Sequence, residues 1–76
     1  MTGPDERTWR REVGVRIRGM RHAAGWTQVR LGRAAGVSHH TVSALELGRV
    51  TVDLAVVGRL ADALQVPASV LLGDQP

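Results

Sequence analysis

The segment Gln28–Leu47, QVRLGRAAGVSHHTVSALEL, constrains this chain more than any other. It holds two helical stretches, Gln28–Ala35 and His39 to about Leu47, with only Gly36, Val37 and Ser38 between them. Thr27 suits the N-cap of the first stretch and Ser38 that of the second, because a short hydroxyl side chain accepts from the free N–H groups of a first turn. Gly36 ends the first stretch, where a left-handed residue is needed. So short a connection rules out a relaxed antiparallel hairpin and makes the two helices cross steeply. Leu31, Ala35, Val37, Val42 and Leu45 then meet at the crossing. Gly32 falls where a side chain would strike the third helix.

The rest of the chain reads as helices that enclose this unit. Trp9, Val13, Ile17, Met20 and Ala24 share an arc of about 80° on a helical wheel, so they form one apolar stripe. Arg7, Arg10, Arg11, Arg18 and Arg21 cluster on an adjoining face. Gly25 closes this first helix. Asp53 caps a fourth, Leu54 to about Gln65, whose apolar face is Leu54, Val57, Leu60, Ala61 and Leu64. Pro67 opens a last short turn, Ala68–Leu72, which Gly73 closes. No segment alternates as a strand does, so the fold class is all-α with five helices. The expected organisation is an N-terminal arm or helix-one extension over 1–8, one domain over 9–73, and a tail over 74–76.

Size sets the energetic problem. A chain of 76 residues without cysteine buries only about 60% of its unfolded surface and has no disulfide to help. Gly14, Gly19, Gly32 and Gly58 lie inside expected helices, each costing about 1 kcal/mol relative to alanine. Association with a second copy would offset that deficit. Val66, Val70, Leu71 and Leu72 exceed what a short final turn can bury, which makes them candidates for a dimer surface. Val50, Val52 and Val56 are a second candidate patch.

Charge is unevenly distributed. Residues 1–40 carry eight arginines against Asp5, Glu6 and Glu12, whereas residues 41–76 carry Arg49 and Arg59 against Glu46, Asp53, Asp62 and Asp74. A basic half of this kind suits a polyanion. No apolar run approaches the ~18 residues of a membrane span, and Met1–Trp9 lacks the apolar core of a signal peptide, so a soluble, cytoplasmic protein is expected. His39, Ser43 and Glu46 superficially resemble a hydrolytic set, but they lie on one small convex helix with no cleft, so no enzymatic activity is expected. His39 and His40 diverge by about 100°, and neither has a His, Asp or Glu four residues away, so no metal site or other cofactor is expected.

The stretches RIRGMRHAAGWTQ, LGRAAGVSHHTVSALELGR and LAVVGRLADALQVPASVLLG resemble the phage-repressor-like (Cro/repressor-type, xenobiotic-response-element) helix-turn-helix family from about Val13 to Leu72. The resemblance implies a compact five-helix, lambda-repressor-like DNA-binding domain. It implies a transcriptional regulator, most simply a repressor, that acts as a homodimer on a palindromic operator in double-stranded DNA. Val42 and Leu45 mark the core side of the third helix, so His40, Leu47, Ser43 and Ala44, with His39 at the edge, occupy the outward side. Carried over position by position, the family pattern makes His39, His40, Ser43 and Ala44 base readers. It places Thr27, Gln28 and Arg49 on the DNA backbone. Thr41 suits either backbone or base, and the Ser38 hydroxyl can touch phosphate as well as cap. Leu47 is expected to pack beneath the Val50–Val52 connection.

The family also pairs the arginine at position 21 with the glutamate at position 46, which implies a structural Arg21–Glu46 ion pair. This chain departs from the family pattern in two places. Gly32 stands where alanine is usual, and Val50-Thr51-Val52 replaces a polar connection. Two other roles of stand-alone domains of this type stay open. One is a restriction–modification controller. The other is an antitoxin that binds a protein toxin and autoregulates its operon.

Overall fold

A computed structural model of the chain describes residues 4–74. Its five helices are α1 (Pro4–Ala23), α2 (Gln28–Ala35), α3 (His39–Glu46), α4 (Leu54–Leu64) and α5 (Ala68–Leu72). Among the described residues there is no strand. Residues 4–8 extend helix α1, with Pro4 in the first turn, where the absent N–H of proline costs nothing. Asp5 and Glu6 sit at the positive end of the α1 dipole, and Arg21 and His22 at its negative end.

The turns follow from local chemistry. The Thr27 hydroxyl accepts from the Arg30 N–H at 3.0 Å, and the Ser38 hydroxyl accepts from the His40 N–H at 3.0 Å. Asp53 Oδ1 accepts from both Ala55 and Val56 N–H groups. Gly36 is left-handed, and the Val37 N–H returns to the Gly32 carbonyl at 2.9 Å, which gives the abrupt change of direction between α2 and α3. Helix α4 ends one residue earlier than its pattern suggests, because Gln65 itself takes the left-handed cap position at φ 59°.

Val13, Ile17, Leu31, Ala35, Val42, Leu45, Val57, Leu60, Ala61 and Leu71 form one core to which all five helices contribute. Three expectations need correction. Ala24 is exposed, because α1 has ended and the Gly25 turn swings the chain outward; Trp26 packs against the core in its place. Leu54 is 52% exposed, since the first residue of α4 precedes the point where that helix meets the core. Leu71, expected at a dimer surface, is fully buried, and Val66 and Leu72 pack against the core. Helix α5 lies in the corner between α1 and α4, so even five residues are covered on two sides. The corner is latched by the Leu72 carbonyl, which accepts from Trp9 Nε1 at 2.8 Å and from Arg16 at 3.3 Å.

The glycines inside helices divide into two kinds. A Cβ on Gly14 would strike the backbone carbonyl oxygens of Glu46 and Leu45, so α1 and the end of α3 touch backbone to backbone there. A Cβ on Gly32 would lie 2.6 Å from the Val37 carbonyl oxygen, because the α2–α3 turn folds back onto its own helix. Gly19 and Gly58 face nothing within 4 Å. Gly19→Ala and Gly58→Ala are each expected to raise the unfolding free energy by about 1 kcal/mol. Gly14→Ala is expected to lower it by about 2 kcal/mol through overpacking. Urea titrations of the three variants check this, and a neutral Gly14→Ala would contradict the backbone contact.

Candidate nucleic-acid interface

Helix α3 turns Val42 and Leu45 inward, and the opposite ridge runs through His40, Ser43, Ala44 and Leu47. His39 and His40 are exposed, and Ser43, Ala44 and Thr41 are half-buried on the flanks. The two imidazoles do not diverge as expected: their ring centroids lie 4.1 Å apart at a tilt of 36°. Their Cβ atoms do point apart, but in the exposed first turn each ring is free to rotate about its side-chain torsions until the two meet.

A groove runs along each side of the ridge. On one side His40, Thr41 and Ala44 face Val50, Thr51, Asp53 and Val56 across a space of about 360 Å³. On the other, Ser43 and Leu47 face Arg18, Arg21, Gln28 and Glu46 across about 240 Å³. Leu47 is not packed beneath the Val50–Val52 connection; it is 52% exposed. Gly48, left-handed at φ 67°, turns the chain past Arg11, and the connection then closes over the Thr41 and Ala44 flank instead.

The second groove is floored by a buried ion pair. Arg21 Nε and Nη2 donate to the two oxygens of Glu46 at 2.7 and 2.9 Å, and Arg21 Nη1 donates to the Trp26 carbonyl at 2.8 Å. Gln28 Nε2 donates to Glu46 Oε1 at 3.1 Å. One carboxylate thus ties together α1, the first turn of α2 and the last turn of α3. Burial by itself would raise the Glu46 carboxyl. The hydrogen bonds from Arg21 and Gln28 and the charges of Arg21 and Arg18 outweigh it and hold the group below the usual carboxylate range. The hydrogen bond to Glu46 raises Arg21, burial opposes it, and the charge of Glu46 adds to the rise.

The remaining site candidates divide by what already occupies them. Thr27 and Ser38 are exposed, and each hydroxyl oxygen is engaged as a helix cap, leaving the O–H free to donate outward. Gln28 gives one amide N–H to Glu46. Arg49 is exposed. The α1 arginines do not act as one face. Arg10 pairs with Glu6 at 2.7 Å, Arg16 lies 3.7 Å from Glu12, Arg11 lies against Gly48, and Arg18 lines the groove beside Gln28 and Ser43. The Arg10–Glu6 and Arg16–Glu12 pairs are i,i+4 neighbours on α1 and readable from spacing, whereas the approach of Arg11 to Gly48 and of Arg18 to Gln28 and Ser43 depends on other elements and leaves no sign on the wheel. The Arg30 guanidinium, 4.6 Å from the Trp26 ring centroid, was likewise missed, although a Trp–Arg spacing of four on neighbouring turns is a readable cue.

A family model described as "Helix-turn-helix domain" matches residues 12–72. The chain belongs to that family. It is a helix-turn-helix DNA-binding domain of the repressor type, with the all-α, lambda-repressor-like fold. It is 36% identical over 69 residues to a Neisseria hypothetical transcription factor from Neisseria meningitidis serogroup B, covering 91% of this chain and 65% of that protein. The chain therefore spans about 65% of the length of this relative. Among solved structures it resembles the hypothetical transcription factor NHTF from Neisseria, with 35% identity and a TM-score of 0.82 over 95% of this chain and 83% of that one. It also resembles the restriction-modification controller protein C.AhdI from Aeromonas hydrophila, with 31% identity and a TM-score of 0.79 over 82% of this chain and 94% of that one. These relatives are transcription factors or controllers by name. Among the described residues no helix is long and apolar enough to cross a membrane.

Because the folded-state Glu46 carboxyl is lowered, the pair contributes fully above the ordinary carboxylate range. Its contribution is lost as pH falls through the lowered value. Glu46→Gln is expected to reduce the unfolding free energy at neutral pH by about 3 kcal/mol, since it strands a buried guanidinium. It should also flatten the acid limb of stability against pH. Urea midpoints between pH 7 and pH 3 measure both effects, and a variant within a few tenths of a kcal/mol of wild type would remove the pair from its structural role.

Proposed function

We propose that the chain is a sequence-specific, DNA-binding transcriptional regulator that acts as a homodimer on a palindromic operator. The observation that carries this reading is the α3 ridge. It leaves His39, His40, Ser43 and Ala44 accessible on the outward side of a helix braced at its far end by the Arg21–Glu46 pair. In a major groove His39, His40 and Ser43 supply hydrogen bonds to base edges, and Ala44 suits a thymine methyl. Thr27, Gln28, Ser38, Thr41 and Arg49 take the backbone, with the α2 N-terminus aimed at a phosphate.

For the second copy, the exposed large apolar residues on or beside the two candidate patches are Val50, Leu54 and Val70, at 39%, 52% and 41% exposure; Val15 and Val29 stand apart on α1 and α2, and Leu47 at the end of α3. With Val56 at the floor of the neighbouring groove, Val50 and Leu54 make the α3–α4 connection a stronger dimer candidate than the α5 residues, of which only Val70 stays exposed. Two α3 helices related by a two-fold axis enter successive major grooves about 34 Å apart. A narrower role, control of a restriction–modification gene pair, is favoured by the likeness to C.AhdI, 94% of whose chain is covered.

Selection of binding sites from random DNA is expected to return an inverted repeat with half-sites about 10 base pairs apart, centre to centre. His40→Ala should cost about 1–3 kcal/mol on the preferred site and relax one base position. Arg49→Gln should weaken all sequences alike and reduce the slope of log affinity against log salt by about 1. A library that enriches no sequence, or affinity indifferent to salt, would overturn the proposal. Sedimentation of the free and DNA-bound protein reads out the dimer.

A further inference from the structure

Resting on that reading, we infer that Leu47 reads sequence by packing against a thymine methyl group in each half-site. Leu47 lies on the same line of α3 as His40 and Ser43, one turn beyond Ser43. It keeps 52% of its surface exposed, as much as any large apolar side chain among the described residues except Val15. The α3–α4 connection passes on the opposite flank, so among the described residues none covers its outer side. Its neighbours across the groove are Arg18, Gln28 and the mutually neutralised Arg21–Glu46 pair, so Arg18 leaves the groove with a net positive charge beside the first turn of α2, which suits a polyanion rather than an apolar protein partner.

A leucine has nothing to give a phosphate. On the major-groove edges the one apolar group offered is the C5 methyl of thymine. Lying in the major groove, the stretch from His39 to the C-cap Leu47 rises about 12 Å, a few base-pair steps, so its two ends face different base pairs. The histidine end and the leucine end then read different base pairs of one half-site. The first reads by hydrogen bonds and the second by apolar contact.

Uracil substitution isolates this contact, because it removes the methyl and nothing else. On the operator recovered by selection, each thymine is replaced singly by uracil, and affinity is measured for wild type and for Leu47→Ala. For wild type, one thymine per half-site is expected to lose about four-fold on demethylation, the worth of one buried methyl. Leu47→Ala should bind the intact operator about five- to ten-fold more weakly and show no further loss at that thymine. Its thermal unfolding should match wild type, since the side chain is outside the core. Equal uracil sensitivity in both proteins at every position would overturn the inference while leaving the regulator reading intact. So would unchanged affinity of Leu47→Ala for DNA, including the case in which that variant instead loses a bound protein. A selection that enriches no sequence removes both readings together.

Discussion

The Arg21–Glu46 ion pair is the constraint on which the rest of this molecule depends. Helices of eight residues are too short to hold their own shape or orientation in water, since helix formation in isolation needs about 12–15 residues. Here the last turn of α3 is held by two hydrogen bonds from α1, and the same carboxylate draws in Gln28 from the start of α2. Arg21 also satisfies the Trp26 carbonyl in the α1–α2 turn. A buried pair of this kind is weak as a net source of stability, because desolvation consumes most of the attraction. Its geometric demand is high, however, and that demand sets how α3 projects from the body of the domain.

The close approach of backbones works to the same end. Gly14 lets α1 lie directly on the carbonyl groups that end α3, and this proximity brings Arg21, two turns further along α1, within reach of Glu46. The α2–α3 turn lies on Gly32 in the same way. What looks like a set of helix-weakening glycines is therefore mixed. Gly14 and Gly32 are where the elements touch, whereas Gly19 and Gly58 do face open space. A core of ten buried apolar side chains suffices because every helix contributes to it and α5 is wedged into the corner between α1 and α4.

Surface chemistry divides along the same lines. Within the basic N-terminal half, several arginines are already engaged, by Glu6, Glu12, Glu46 or the Leu72 carbonyl. The α3 ridge is different, because α3 is packed on α1 and α2 from behind and its outer side meets neither. The grooves that flank it differ in character: one is mostly apolar around Val50 and Val56, the other is lined by Arg18, Gln28 and the ion pair.

Helix number, capping residues and the steep crossing around Gly36-Val37-Ser38 were legible in the sequence, because each is set by contacts within a few residues. The inward and outward sides of α3 were legible for the same reason: a helical wheel needs only the period of the helix and two apolar anchors, Val42 and Leu45. The fates of Leu47, Leu54 and Leu71 were not. Each depends on where a distant element lies, and the path of the chain after Gly48 or the corner that receives α5 leaves no periodic trace. The same holds for the link from Gln28 to Glu46 and for the contacts of Arg11 and Arg16 with Gly48 and the Leu72 carbonyl, whereas the Arg10–Glu6 and Arg16–Glu12 pairs are local i,i+4 spacings. The sequence by itself determined the helices and the face that α3 presents; only the tertiary structure decided which side chains that face leaves uncovered, because exposure is settled by neighbours far along the chain.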